Sequence, residues 1–444
     1  MKQILPLLLA LAGFHAVFSQ NAQPRILCGN EVFSKIVREQ YPALQAAFDQ
    51  TFDQAQHASG VADRSPLNIK VVVHVVWNAA AENLADSVIE SQIRVLNEDF
   101  NRMNADTGRL RARFGPVAGN ADIHFQLADI VRVKTSKLFS IDLLGGKLLP
   151  EVKHANQGGS DARDPEKYLN LWVCKIQPTT IFGIPVGQIF GFAFPPNGLS
   201  HWPAGAAAPQ PEEDGVVIDF RMMGRNNPNT VENPATGEPL TVRGRTPVHE
   251  VAHYLGLRHI WGDGGLLGPN DCAQSDGVDD TPYANAQSDF DCDTTRNTCE
   301  QVEMFFNADP PDLVENFMDY SSEACMNMFT KGQVAIMRNV LTGPRKGLLE
   351  TSSTVSPTAG LLSWRISPNP ASGAFFVDFE SDKTQDFAYR VFNAQGKTVF
   401  EQSAQTFPPG THRIGFESAH WPAGMYFVEM KTEAGSQVRK LVKN

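Results

Sequence analysis

The segment Thr246-Pro247-Val248-His249-Glu250-Val251-Ala252-His253-Tyr254-Leu255-Gly256-Leu257-Arg258-His259 constrains this chain more than any other. Thr246 is expected to serve as a helix N-cap and Pro247 to take the first helical position. Val248, Val251, Ala252 and Leu255 make the apolar stripe that docks such a helix on a core. His249 and His253 stand one turn apart, so both imidazoles leave the same face and can share one cation. Glu250 sits beside the first of them, within reach of a water on that cation, and is the expected catalytic base. Gly256 permits a left-handed residue that ends the helix and lets His259 approach as a third ligand. Three protein ligands leave one coordination position open, the arrangement of a catalytic zinc.

The rest of the chain places this segment in a larger plan. Its 444 residues exceed one ordinary core. A formal net charge of −11 argues against a nucleic-acid partner, which would need a basic stripe. Lys2 followed by the apolar run from Ile4 to Val17 has the layout of a signal peptide over residues 1–19, cut before Gln20. The run is too short to span a membrane comfortably, and no later stretch is long and apolar enough to do so. Export makes disulfides permissible. Cys272, Cys292, Cys299 and Cys325 cluster in one loop-rich region, and four cysteines allow three pairings.

Residues 20–64 are expected to form a pro-segment, with helical periodicity from Glu31 to Phe52 and a loose stretch before Ser65. A zinc metallopeptidase domain is expected over residues 65–350. Its Ile69–Val76 run is nearly all β-branched and reads as a strand buried on both faces. Ile89, Ile93, Leu96, Phe100 and Met103 give a helix at spacings of four and three. Ile123, Phe125 and Leu127 alternate, as do parts of Tyr168–Ile176 and Val216–Phe220. These elements imply an α/β (α+β) fold with a mixed sheet and an active-site helix. The acidic stretch from Gly262 to Asp312 lacks periodicity and needs disulfides or ions to hold it. Residues 351–361 are the expected linker, and residues 362–444 alternate in short runs that imply a small all-β sandwich without catalytic residues.

The longer histidine pattern is the metzincin signature, and Asn316-Phe317-Met318-Asp319-Tyr320-Ser321 resembles that clan's Met-turn. The resemblance places Met318 beneath the metal and gives Tyr320 a catalytic place, as a ligand of the resting metal or a donor to the oxyanion. Ile69–Val76, Val95–Phe100, Tyr168–Val173 and Gly244-Arg245-Thr246 resemble the pappalysin family, above all its cytophagalysin and ulilysin-like members, over about residues 65–345. That likeness implies an endopeptidase with a two-subdomain fold, acting on protein or peptide substrates. It assigns Phe192, Ala193 and Phe194 of Gly191–Phe194 to an upper-rim strand that pairs with substrate. It implies bridges Cys272–Cys299 and Cys292–Cys325, and a structural calcium on the Asp276, Asp279 and Thr281 loop. In that family an aspartate just before the last cysteine selects arginine or lysine after the scissile bond. Ala324 holds that position here. Either Glu323 turns into the pocket and restores the preference, or the pocket takes apolar or small residues. The second is expected, because neighbouring side chains usually diverge.

Arg25-Ile26-Leu27-Cys28-Gly29-Asn30 resembles a cysteine switch, in which Cys28 blocks the zinc until cleavage near Arg64. A Cys28–Cys174 disulfide is the alternative. Ile366-Ser367-Pro368-Asn369-Pro370, Gly424–Val428 and Lys440–Lys443 resemble the sorting domain of type IX secretion. They imply that machinery as a partner and a secreted or surface-attached protein.

Overall fold

The computed structural model describes residues 25–27, 29 and 65–444, apart from 143–146, 149, 182–183, 194–210, 235, 263–271, 274, 350–360, 382, 394–396 and 433–434. The chain divides into two compact units between Leu349 and Glu350. No helix among the described residues is long and apolar enough to cross a membrane.

The first unit runs β1 (Arg25–Leu27), β2 (Leu67–Trp77), α1 (Asp86–Phe100), β3 (Ile123–Lys134), β4 (Ile141–Asp142), β5 (Lys147–Leu148), β6 (Leu169–Cys174), β7 (Thr179–Ile181), β8 (Ile184–Ile189), β9 (Gly191–Ala193), β10 (Val216–Asp219), α2 (Arg245–Tyr254) and α3 (Lys331–Thr342). Five strands form the central sheet in the order β3-β2-β6-β10-β9. All neighbours are parallel except β9, which joins β10 antiparallel at the edge. Interior parallel strands are covered on both faces, which is why β6 and β10 bury every residue. Val216–Phe220 is therefore not a half-exposed alternating strand.

Helix α1 buries Val88, Ile89, Val95, Leu96 and Phe100 in the core shared with the sheet. It stops at Phe100, one turn short of expectation. Asn101 caps it, Arg102 takes a positive φ of 52°, and Met103 is left 62% exposed. A spacing of three after Phe100 was compatible with one more turn, but the chain had already left the helix.

The second unit comprises β11 (Leu361–Ser367), β12 (Ala374–Ser381), β13 (Gln385–Asn393), β14 (Thr398–Phe407), β15 (Gly410–Glu417), β16 (Gly424–Thr432) and β17 (Gly435–Lys443). Its two antiparallel sheets have the orders β11-β12-β15 and β14-β13-β16-β17. Phe375, Val377 and Phe379 from one sheet meet Phe387, Val391 and Val428 from the other in a single core. The metzincin-like mixed sheet and the all-β sandwich are the fold class expected from the sequence.

Candidate metal centre

Helix α2 carries the first two histidines, and its ends explain how the third arrives. Its N-cap is Gly244 at φ 78°, not Thr246. Thr246 already lies inside the helix, where its backbone N–H and its hydroxyl both donate to Glu323 Oε1 at 2.7 Å. Glu323 Oε2 accepts the Arg243 N–H. A carboxylate from a distant loop thus satisfies the free N–H groups and faces the positive end of the helix dipole. Local sequence could not show this cap, since Glu323 is 77 residues from Thr246. Arg245 beside it is buried, with its guanidinium on Asp106 at 2.6 Å and Asp99 at 3.3 Å.

At the other end, Gly256 has φ 94°. Gly256 N–H donates to the His253 carbonyl at 2.8 Å and Leu257 N–H to the Ala252 carbonyl at 3.0 Å, a Schellman pair that reverses the chain. Val248, Val251, Ala252 and Leu255 are fully buried.

The turn brings three buried imidazoles together. His253 Nε2 lies 3.0 Å from His249 Nε2 and 3.1 Å from His259 Nε2. His249 Nδ1 donates to the Phe317 carbonyl at 2.7 Å and His253 Nδ1 to the Leu257 carbonyl at 2.8 Å. Those acceptors fix the tautomers, so the Nε2 atoms present lone pairs to one another. Burial also holds all three imidazoles in the neutral form. His249 falls to about 4, and His253 and His259 fall well below the usual histidine value. Converging lone pairs at this distance repel unless a cation lies among them. Tetrahedral zinc–imidazole bonds would set the nitrogens about 3.3 Å apart. The three residues fit zinc, and no other group of three His, Cys, Asp or Glu among the described residues gathers in this way.

The surroundings are built from the Met-turn loop and the sheet edge. Met318 is fully buried in the core, its N–H held by Asn316 Oδ1 at 2.8 Å. The Tyr320 ring lies 5.2 Å from His249 and 5.4 Å from His259, and burial pushes its phenol well above the ordinary value. Trp261 stacks on His259 at 4.4 Å, a support that the motif did not reveal. Glu250 is buried, which pushes its carboxyl well up. Gly191 of β9 faces it so closely that a Cβ there would lie 2.7 Å from Glu250 Cγ and 2.9 Å from Oε1. Glycine is required at this approach, a reason the sequence reading of Gly191 did not contain.

Phe192 and Ala193 are on the edge strand, whereas Phe194 lies outside the described residues. Glu323 lines the cleft with Phe290, Tyr320 and Met326, but both of its oxygens are engaged, Oε1 on Thr246 of α2 and Oε2 on Arg243 just before it; Ala324 is half-buried beside it. The acidic loop is closed by Cys272–Cys299 and Cys292–Cys325. In that loop Thr281 Oγ1 lies 2.7 Å from Asp276 Oδ1. Asp276 Oδ2 is buried without a hydrogen-bond partner, and burial raises this carboxyl to about 8. Asp279 is exposed. Cys174 is a buried free thiol, and Cys28 lies outside the described residues.

Comparison with known proteins agrees with this geometry. Residues 236–342 match the family described as pregnancy-associated plasma protein-A, and residues 365–444 match the secretion system C-terminal sorting domain. Mature mirolysin of Tannerella forsythia, solved with a cleaved peptide, is 36% identical; the match covers 64% of this chain and 96% of that one, with a TM-score of 0.51. A promirolysin variant from the same organism is 34% identical across 72% of this chain and 96% of its own, with a TM-score of 0.57. An extracellular metalloprotease of Pyricularia oryzae is 29% identical over 298 residues, 66% of this chain and 82% of the relative. The chain belongs to the pappalysin family: it is a secreted or cell-surface metalloendopeptidase that ends in a type IX secretion sorting domain.

Proposed function

We propose that this enzyme cleaves internal peptide bonds with zinc held by His249, His253 and His259 and with Glu250 as general base. The observation that carries the reading is the convergence of three Nε2 atoms whose Nδ1 partners fix two of the tautomers. Zinc bound there would polarise the scissile carbonyl and acidify water. Glu250 takes a proton from the attacking water and delivers it to the leaving amine as the carbon–nitrogen bond breaks. Tyr320, beside two of the histidines, is placed to donate to the oxyanion. Substrate adds as a strand along β9, so backbone groups bind any sequence and the cleft selects side chains. With Glu323 engaged on the helix and Ala324 uncharged, the residue accepted after the scissile bond is apolar or small.

The enzyme is made latent. β1 pairs in parallel with β8, placing Leu27 opposite Ile189 at the start of the rim. Gly29 follows against β9, where a Cβ would sit 2.4 Å from Phe192 Cβ. These contacts support a pro-segment seated along the rim, and Cys28, which the sequence puts between Leu27 and Gly29, is the proposed zinc-blocking residue. Asp276, through its unpartnered Oδ2, Asp279 and Thr281 are the proposed calcium ligands.

One hydrolysis assay tests the core of this. Chain cut near Arg64 is expected to cleave protein and the intact chain not to. Glu250→Ala should keep stoichiometric zinc but lose about 10²–10⁴-fold in kcat. Full turnover by purified Glu250→Ala would remove the mechanism. Cleavage sites dominated by arginine or lysine on the leaving side would remove the pocket reading alone.

A further inference from the structure

Lys153, at the end of the 3-10 turn Pro150–Lys153, is 1% exposed. Its Nζ lies 5.1 Å from the Trp172 ring centroid and 5.3 Å from that of Phe192. It also donates to the Glu213 carbonyl at 2.5 Å, just ahead of β10. Burial pulls this ammonium down to about 7, against the opposing pull of Glu213 and Asp214.

The two rings belong to one cross-strand row. Trp172 on β6 stands opposite Val217 on β10, and Val217 stands opposite Phe192 on β9. On the far side His74 of β2 is in register with Trp172 and stacks on it at 5.1 Å. The lysine therefore bridges the interior of the sheet to its edge. Successive residues of a strand point to opposite faces. Phe192 turns to the ammonium, and Gly191 turns to Glu250.

A buried lysine is costly, and an apolar side chain of similar length would fill the space with less penalty. What it supplies is a directional anchor. Among the described residues β9 spans Gly191–Ala193 and lies at the edge of the sheet, with β10 as its sheet neighbour. We infer that Lys153 is a positioning residue for substrate binding, holding β9 through Phe192 at the height where the strand can pair with substrate beside Glu250. This rests on the reading that substrate pairs with β9.

The test uses Lys153→Met in the activated full-length enzyme, with an extended peptide and a blocked dipeptide as substrates. The variant is expected to raise KM for the extended peptide about tenfold, with kcat within about twofold of wild type. The dipeptide, too short to lie along β9, should be processed as by wild type, and Lys153→Met should melt no lower than wild type. A folded Lys153→Met with unchanged KM for the extended peptide would overturn the inference. So would equal losses on both substrates, which would mark a merely structural lysine. N-methylation of successive amides in the extended peptide separates the two readings with wild-type enzyme. A penalty at the amides facing β9, together with a silent Lys153→Met, removes the inference and leaves the strand pairing intact. No penalty at any amide removes both.

Discussion

The two units of this chain treat buried polarity in opposite ways. The first buries Lys153, Arg245, Asp99, Asp106, Glu250 and four histidines, many of them in contact with one another. The second has an aromatic and aliphatic interior, and its buried polar residues among those described are Ser381, Ser418, Thr432 and Lys443. A hydrophobic core is enough to specify a sandwich whose strands alternate. Holding a carboxylate, three converging histidines and an edge strand at fixed distances takes directional contacts, and each costs desolvation that the fold must offset.

The sharpest break of this comparison is His253→Ala. Hydrolysis and bound zinc should disappear together, while the second unit melts unchanged; zinc retained at one equivalent by mass spectrometry would contradict the ligand set. Next comes Phe387→Ala, at a fully buried position of the sandwich. It should destabilise the second unit by about 3–5 kcal/mol and leave kcat/KM untouched. Loss of activity in that variant, measured below its transition, would show that the units are not independent. The smallest effect is expected from a calcium-selective chelator. If Asp276 holds calcium, its removal should lower the first transition only, by about 2.7 kcal/mol relative to calcium at about a hundredfold excess over Kd. An unmoved transition in calorimetry would remove the ion.

What the sequence revealed follows from the range of each interaction. The His249, His253, Gly256 and His259 spacing is local, and one helix with one left-handed turn converts it directly into a site. The C-terminal strands were legible from alternation for the same reason, although β11 was not, because its sequence begins inside what reads as a linker. Thr246 was misread as the cap because the real acceptor, Glu323, comes from a loop far down the chain. Lys153 gave no signal at all. A lysine in an irregular stretch reads as surface, and only strand register brings Trp172 and Phe192 to it. Gly191 was seen as part of a strand, but its closeness to Glu250 is a packing fact that no periodicity carries.

The two disulfides interleave, closing spans of 27 and 33 residues, and each would limit the unfolded chain by about 3.5 kcal/mol on a loop-entropy account. Cys325 stands two residues beyond Glu323, whose carboxylate holds the start of helix α2. The bridge to Cys292 therefore tethers the cap as well as the loop. A disulfide forms in an oxidising compartment and not in a reducing cytoplasm, so the covalent tether behind this cap is completed only after export.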